Sequence, residues 1–269
     1  MTATIASIFR HPVKGLTPEP LGEVELIAGK YFPQDRQYAV EVGPSGFDPI
    51  KPGHISKMKF TVLARFPELA KLRTRLAADG VTFHIGDAAG LGVETRLDSE
   101  HGREALAKFL QAFLGDQAPG KLKVLSASGH RFMDHPQGYV SVINLASVRA
   151  LATAIGTEVD PLRFRANIYV DGLKAWAEDE LVVEAMIQLG VAKLKVFKPI
   201  VRCVATHANP TTGERDMETI DLLREHFGRD TLGTYFSIEQ GGKVARGDGV
   251  EVLREHGLWH TTCGFGSDH

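Results

Sequence analysis

The sequence predicts an α+β protein that is mostly β, with a barrel-like core and a few inserted helices. Three observations carry that expectation. Apolar runs are short, rich in β-branched or aromatic residues, and bounded by Gly, Pro or Asp. Several alternate apolar and polar side chains with period two. There is no regular strand–helix rhythm, no GxGxxG and no Walker A sequence, so a nucleotide-binding doubly wound fold is not expected.

TIASIFR (4–10), GEVELIAG (22–29) and RQYAVEV (36–42) are the first strands expected. ELAKLRTRL has helical propensity, but Ala70, Leu72, Thr74 and Leu76 alternate with Lys71, Arg73 and Arg75, the pattern of a half-buried strand. Asp79-Gly80 then marks a hairpin turn into VTFHIG. DSEHGREALAKFLQAFLG (98–115) reads as a helix with Asp98 or Ser99 as cap and Gly115 as stop. Its Leu106, Phe109, Leu110 and Phe113 share one face. KLKVLSA (121–127) and YVSVINL (139–145) are strands, and ASVRALATAIG is a short helix capped by Ser147 and ended by Gly156. RFRANIYV (163–170) alternates again, which predicts a strand with Arg163, Arg165 and Asn167 on its polar face. LVVEAMI, KLKVF and IVRCVAT are further strands, METIDLLREHFG is a helix, and TYFSIEQGG and GVEVL close the fold. The weakest pattern lies at about 86–100, so an N-terminal β-barrel-type domain over 1–95 and a second domain over 96–269 are expected. The tail 258–269, with Cys263, is polar toward its end and expected to be mobile.

The 269 residues, 43% hydrophobic and 24% charged, fit a globular chain with one large core or two modest ones. A net charge of −2 gives no bulk attraction to nucleic acid or a membrane surface, so an anionic ligand needs a local basic cluster. No apolar run approaches the roughly 20 residues of a membrane span. The start MTATIASIFRHPVKGL lacks the apolar segment of a secretory signal, and a cytoplasmic protein is expected. Two cysteines form no disulfide framework and cannot supply the thiolates of a typical iron–sulfur cluster.

The strand expected at 163–170 offers two guanidiniums and an amide, suited to an anion or equally to a solvated face. HPVKG (11–15) ends a strand at a turn with Lys14 and Gly15, which fits a plain turn with a solvated lysine or a place where a ligand would meet a cation and backbone N–H groups. Cys203 stands in Val-Arg-Cys-Val-Ala-Thr. Its apolar neighbours suit a buried inert thiol. Its cationic ones, Arg202 first, favour a thiolate, which nucleophilic attack and metal binding both need. A nucleophile wants a histidine base, and Asn209-Pro210 predicts a turn just past His207. A zinc site wants three or four protein ligands, and no CxxC or HxxxH spacing is present. A metal that arrives inside an organic cofactor needs only one protein thiolate.

FRANI (164–168), RCVATHANPTTGERD (202–216) and GDGVEVL (247–253) resemble the MOSC domain family. IASIFRHPVKGL (5–16) and DRQYAV (35–40) resemble the β-barrel domain that precedes MOSC in the amidoxime-reducing component and its bacterial relatives. The resemblance implies a molybdenum cofactor, with the metal bound by Cys203 and the molybdopterin held by Lys14, Gly15, Arg36, Arg165, Asn167 and Arg202. It implies an oxidoreductase that reduces small N-hydroxylated compounds, with electrons from a separate reductase or ferredoxin. Gly15 stands where the amidoxime reducers have a serine, Ala166 where they have a proline, and His207 to Asn209 where substrate choice is expected to lie. Two other functions fit the same residues: a carrier of molybdenum cofactor or of sulfur on Cys203, and an anion-binding β-barrel without catalysis. Pyridoxal phosphate on Lys14 has no support beyond a lysine near a turn. The oligomeric state is not legible.

Overall fold

The computed structural model describes residues 2–135, 139–181 and 183–253; the tail 258–269 and Cys263 lie outside them. The first strands are β1 (Thr4–Arg10), β2 (Glu19–Leu21), β3 (Glu23–Leu26) and β4 (Ala39–Val42). A three-strand run follows, β5 (Arg73–Leu76), β6 (Thr82–Gly86) and β7 (Gly92–Arg96), then α1 (Glu100–Leu114) and β8 (Leu122–Leu125). Next come β9 (Val140–Asn144), α2 (Leu145–Ile155) and β10 (Ile168–Asp171). The last elements are β11 (Met186–Leu189), β12 (Ala192–Val201), α3 (Thr219–Phe227), β13 (Thr231–Gln240), β14 (Gly242–Ala245) and β15 (Val250–Leu253).

Eight strands form one mixed sheet in the order β15-β11-β12-β13-β9-β10-β1-β2. Its only parallel pair is β9 with β10, and α2 makes the crossover between them. The sheet does not close into a barrel, since β15 and β2 stay its edges. It curls far enough for one bridge, Thr4 to Gly249, to tie β1 to the turn before β15. Small sheets of β3 with β14, β4 with β8, and β5-β6-β7 complete the β structure.

Alternation sorts the side chains. Val140, Val142, Phe236 and Ile238 face a core inside the curl with Ile5, Ile8, Ile168 and Leu194. From the other face Ile143, Tyr169 and Leu232 meet α2 and α3 through Leu151 and Leu223. A separate core gathers Leu106, Leu110 and Leu114 of α1 against Leu72, Leu76, Phe83 and Ile85. Ser99 caps α1 and Gly115 ends it, as expected.

Several local expectations need correction. Residues 163–170 are not one strand. Asp160 caps a 3-10 turn, Pro161–Phe164, Arg165 takes a left-handed φ of 52°, and the strand begins at Ile168. Pro161 sits at the first position of that turn, where its missing N–H costs nothing. RQYAVEV is strand only from Ala39, because Arg36 is left-handed at φ 47°. KLKVF and IVRCVAT merge into β12, and Cys203 lies beyond its end. Asn144, not Ser147, caps α2. Ser147 Oγ instead donates to Glu178 and accepts from the Trp176 N–H. The weakly patterned stretch near 86–100 contains β7, the outer strand of the three-stranded sheet.

Candidate functional site

The 10-residue pair of β12 and β13 positions the site. Its register shifts three times, the last between Pro199 and Val201. Bulges of this kind bend a strand and re-aim its end. Directly after the last one, Arg202 and Cys203 leave the sheet, and Cys203 starts a short 3-10 turn, Val204–His207. The Cys203 carbonyl accepts from the Thr206 N–H and hydroxyl, both at 2.9 Å. That fixes the backbone while the thiol stays partly exposed.

A cleft of about 420 Å³ opens beside the thiol. Of the residues expected to act, Lys14, Gly15, Arg36, Arg165, Arg202 and Cys203 all line it. Asn167 does not. It is fully buried, and its Oδ1 accepts from the N–H and hydroxyl of Ser141, which does line the cleft.

Each cation is held by a different part of the chain. Lys14 Nζ donates to the Phe132 carbonyl at 2.8 Å and meets Asp134 at 2.5 Å. Burial pushes its ammonium pKa down, and Asp134 only partly offsets that. Burial also opposes the charge of Arg36, but Asp35 and then Asp134 outweigh it and raise its pKa. Arg36 pairs with Asp35 and donates to the Arg165 carbonyl at 3.2 Å. Beneath them His11 is fully buried and donates its backbone N–H to Asp35 at 2.7 Å. Arg165 donates to the Leu16 carbonyl at 2.7 Å; burial, then Arg36, lowers its pKa to about 10. Arg202 donates to the Phe164 carbonyl at 2.9 Å and through Nε to Leu232 at 2.8 Å, and burial brings it too to about 10. Gly233, at φ +78°, makes room for it: an added Cβ would stand 3.2 Å from Arg202 and 2.7 Å from the Val142 carbonyl.

Gly15 has a steric reason. At φ +85° its Cβ would fall 1.8 Å from the Thr61 carbonyl oxygen. A serine there requires the 61–62 backbone to move.

Sequence reasoning missed Lys57, Asp134, Tyr139, Lys198 and Tyr235, which also line the cleft. Lys57 reaches in from the segment between β4 and Phe60, 4.0 Å from Asp134. Burial opposes its charge, while Asp134 and then Cys203 raise its pKa. Burial likewise opposes the Asp134 charge, and Lys14, Lys57 and Arg36 hold its carboxyl well below the usual carboxylate range. Tyr139 stacks on Phe197 at 4.1 Å, and Lys198 lies over the Phe197 ring at 5.2 Å. Lys57, Asp134 and Tyr139 lie outside the strands, while Lys198 is on β12 and Tyr235 on β13, and no motif joins them. Charge was the available signal for Lys57, Asp134 and Lys198.

The loop after Cys203 is pinned rather than open. Asn209 Oδ1 accepts from the N–H groups of Thr211 and Thr212, at 2.9 and 3.1 Å. Arg163 donates to the His207 carbonyl at 3.1 Å and to Asp216 at 2.6 Å. Arg215 ties the loop to the Ala64 carbonyl at 2.8 Å. The cleft wall ends at Thr206, so His207 to Asn209, where substrate choice was expected, lie outside it. Glu178 lies away from this cleft, accepting from Ser147 and Asn144 at 2.9 and 3.1 Å.

The donor set can be tested against a cofactor. Among the described residues seven cationic side chains line the cleft (Lys14, Arg36, Lys57, Arg163, Arg165, Lys198 and Arg202) against one carboxylate, Asp134. Arg163 Nε is buried with no partner. Among the described residues no three His, Cys, Asp or Glu side chains converge as a metal cage. One thiol amid excess positive charge fits an anionic cofactor that brings most of its metal's ligands with it.

The fold and cleft thus define a β-rich protein with, among the described residues, one thiol at the rim of a cationic cleft. Residues 129–251 match the MOSC domain and residues 2–117 the MOSC N-terminal beta barrel domain. The chain belongs to the MOSC domain family. It is 27% identical over 201 residues to a molybdenum cofactor sulfurase of Drosophila melanogaster, covering 64% of this chain and 25% of that one. It is 28% identical over 124 residues to mitochondrial amidoxime-reducing component 1 of Mus musculus, covering 42% and 36%. The chain thus spans little more than a third of these curated relatives' length at most. The YuaD protein of Bacillus subtilis aligns over 93% of this chain and 94% of its own, at 15% identity and a TM-score of 0.44. Among the described residues no helix is long and apolar enough to cross a membrane.

Proposed function

We propose that this protein binds a molybdenum cofactor in the cleft and reduces small N-hydroxylated compounds. Cys203 serves as the protein's thiolate ligand to the metal. Lys14, Arg36, Arg165 and Arg202 neutralise and orient the anionic part of the cofactor. Gly15 lets the 61–62 backbone close the cleft wall, and Asn167 acts by fixing Ser141. The bound cofactor supplies two-electron redox chemistry. Overall, R–NHOH, two electrons and two protons give R–NH2 and water. The electrons come from a separate reductase or ferredoxin. We keep the cytoplasm as the site of action and the division into 1–95 and 96–269 as part of the same proposal.

The observation that supports this reading most is the position of Cys203, partly exposed on the wall of a cleft with seven cations. The amidoxime-reducing component among the relatives supports the substrate class. Cys203→Ser tests it. Turnover of an amidoxime with a chemical electron donor is expected to vanish while folding is retained. Full turnover by the variant contradicts the mechanism.

A carrier of cofactor or sulfur is the second reading. It is favoured by the sulfurase relatives and by the exposed Val201 and Val204 flanking Cys203, an apolar rim suited to protein contact. Transfer of cofactor to an apo-enzyme, without reduction of any N-hydroxylated compound, supports it over the first.

A further inference from the structure

Among the cleft cations, Arg36, Arg163, Arg165 and Arg202 are each committed to a protein carboxylate or carbonyl. Lys198 lies over the Phe197 ring. Lys14 donates to the Phe132 carbonyl and meets one Asp134 oxygen at 2.5 Å, while Lys57 reaches the other Asp134 oxygen only at 4.0 Å. The second distance is too long for a hydrogen bond. Among the described residues Asp134 is the single carboxylate on the cleft wall, with half its side chain exposed. Its preceding neighbours Phe132 and Met133 are buried, so the backbone is anchored while the carboxylate sits at the mouth.

Lys57 is delivered to this place by design of the chain. The segment after β4 is largely exposed, but three contacts fix it. Phe47 packs on Phe132 at 4.9 Å between centroids, Arg65 donates to the Met58 carbonyl at 2.7 Å, and Phe60 is buried. The backbone at Lys57 is therefore held, while its ammonium stays partly exposed between Asp134 and Cys203. An exposed pair at 4.0 Å adds little to stability, so folding does not explain the arrangement. A ligand oxygen cluster explains it better. A phosphate-like group has several oxygens and can satisfy both ammonium groups at hydrogen-bond distance, which a single carboxylate does not do here.

We propose that Lys57 is a further anion-binding residue of the cleft, and that Asp134 is the internal carboxylate which the anionic group of a bound cofactor displaces from Lys14 and Lys57. This rests on the cofactor reading above. The two residues oppose each other: Lys57 favours the loaded state and Asp134 the empty one.

Wild type, Lys57→Gln, Lys57→Arg and Asp134→Asn are expressed in the native host and dialysed against high salt. Molybdenum and pterin per chain are followed over time, with melting temperature as the folding control. Lys57→Gln is expected to lose molybdenum about fivefold faster than wild type, the scale of one partly exposed charge contact. Lys57→Arg is expected to stay near wild type, and Asp134→Asn to lose it about fivefold more slowly. A purely structural ion pair would shift both neutral variants the same way. Equal loss rates for wild type, Lys57→Gln and Asp134→Asn overturn the inference and leave the cofactor reading standing. A wild type with neither molybdenum nor pterin overturns both.

Discussion

In the three-stranded sheet, Arg73 and Arg75 project from β5 into solvent while Thr74 and Leu76 turn inward. Arg75 meets only His84 across the hairpin, at 3.2 Å. At the cleft, Arg163 and Arg165 have the same one-residue spacing, yet both are drawn into the protein. Arg163 is buried against Asp216 and the His207 carbonyl, and Arg165 reaches the Leu16 carbonyl. The difference lies in the backbone. An extended strand throws alternate side chains to opposite faces. The 3-10 turn and left-handed Arg165 break that rule and aim both guanidiniums at converging carbonyls. Arg73 donates only to the nearby Ala70 and Leu72 carbonyls, and Arg75 is nearly free of structural consequence. Arg163 and Arg165 build a charged wall, and the fold has to hold them there.

Substitution at matched positions sharpens that contrast. Arg163→Met is expected to cost about 3 kcal/mol, because it strands the His207 carbonyl and breaks a half-buried ion pair. Urea unfolding at neutral pH reads this as a lower midpoint with an unchanged slope. Arg75→Ala is expected to stay within about 0.5 kcal/mol of wild type. Equal effects at the two sites would break the comparison.

Beneath the cleft, acid provides an intermediate effect. Burial first, then Arg36, pushes the His11 imidazole down to about 3, against 6.5 unfolded. The folded state therefore binds fewer protons than the unfolded one between these values. The contribution is complete above about pH 6.5 and is lost as pH falls toward about 3. At pH 5 the loss is about 2 kcal/mol relative to pH 7.5. Denaturant midpoints across that range should fall in wild type and flatten in His11→Leu. An unchanged slope in the variant would mean that other groups carry the acid sensitivity.

Much of the cleft is legible in the sequence because its members sit in short motifs. Lys14 and Gly15 lie in the turn that follows β1, and Arg202 and Cys203 come directly after β12. Arg165 and Asn167 sit together in FRANI, where the family resemblance found them although the strand expected there was wrong. Asp160-Pro161, a capping residue followed by a first-position proline, was the local sign that a turn and not a strand begins there. Asn167 is expected from the resemblance to touch the ligand; in the structure it is fully buried and accepts from the hydroxyl of Ser141, which lines the cleft. Lys57, Asp134 and Tyr235 were not legible, because only tertiary folding brings the two loop residues and Tyr235 of β13 beside Cys203. Period two found β5 from Arg73 onward, where the backbone is extended and one face is solvated, although Ala70 and Lys71 belong to a 3-10 turn; the Asp79-Gly80 signal found the hairpin into β6.

The central claim is that Cys203 is the protein's ligand to a cofactor-borne metal. Molybdenum-edge X-ray absorption on wild type and Cys203→Ser, both purified from the native host, tests it most directly. The account predicts one more sulfur neighbour around molybdenum in wild type than in the variant. The same sulfur count in two molybdenum-loaded proteins would contradict it.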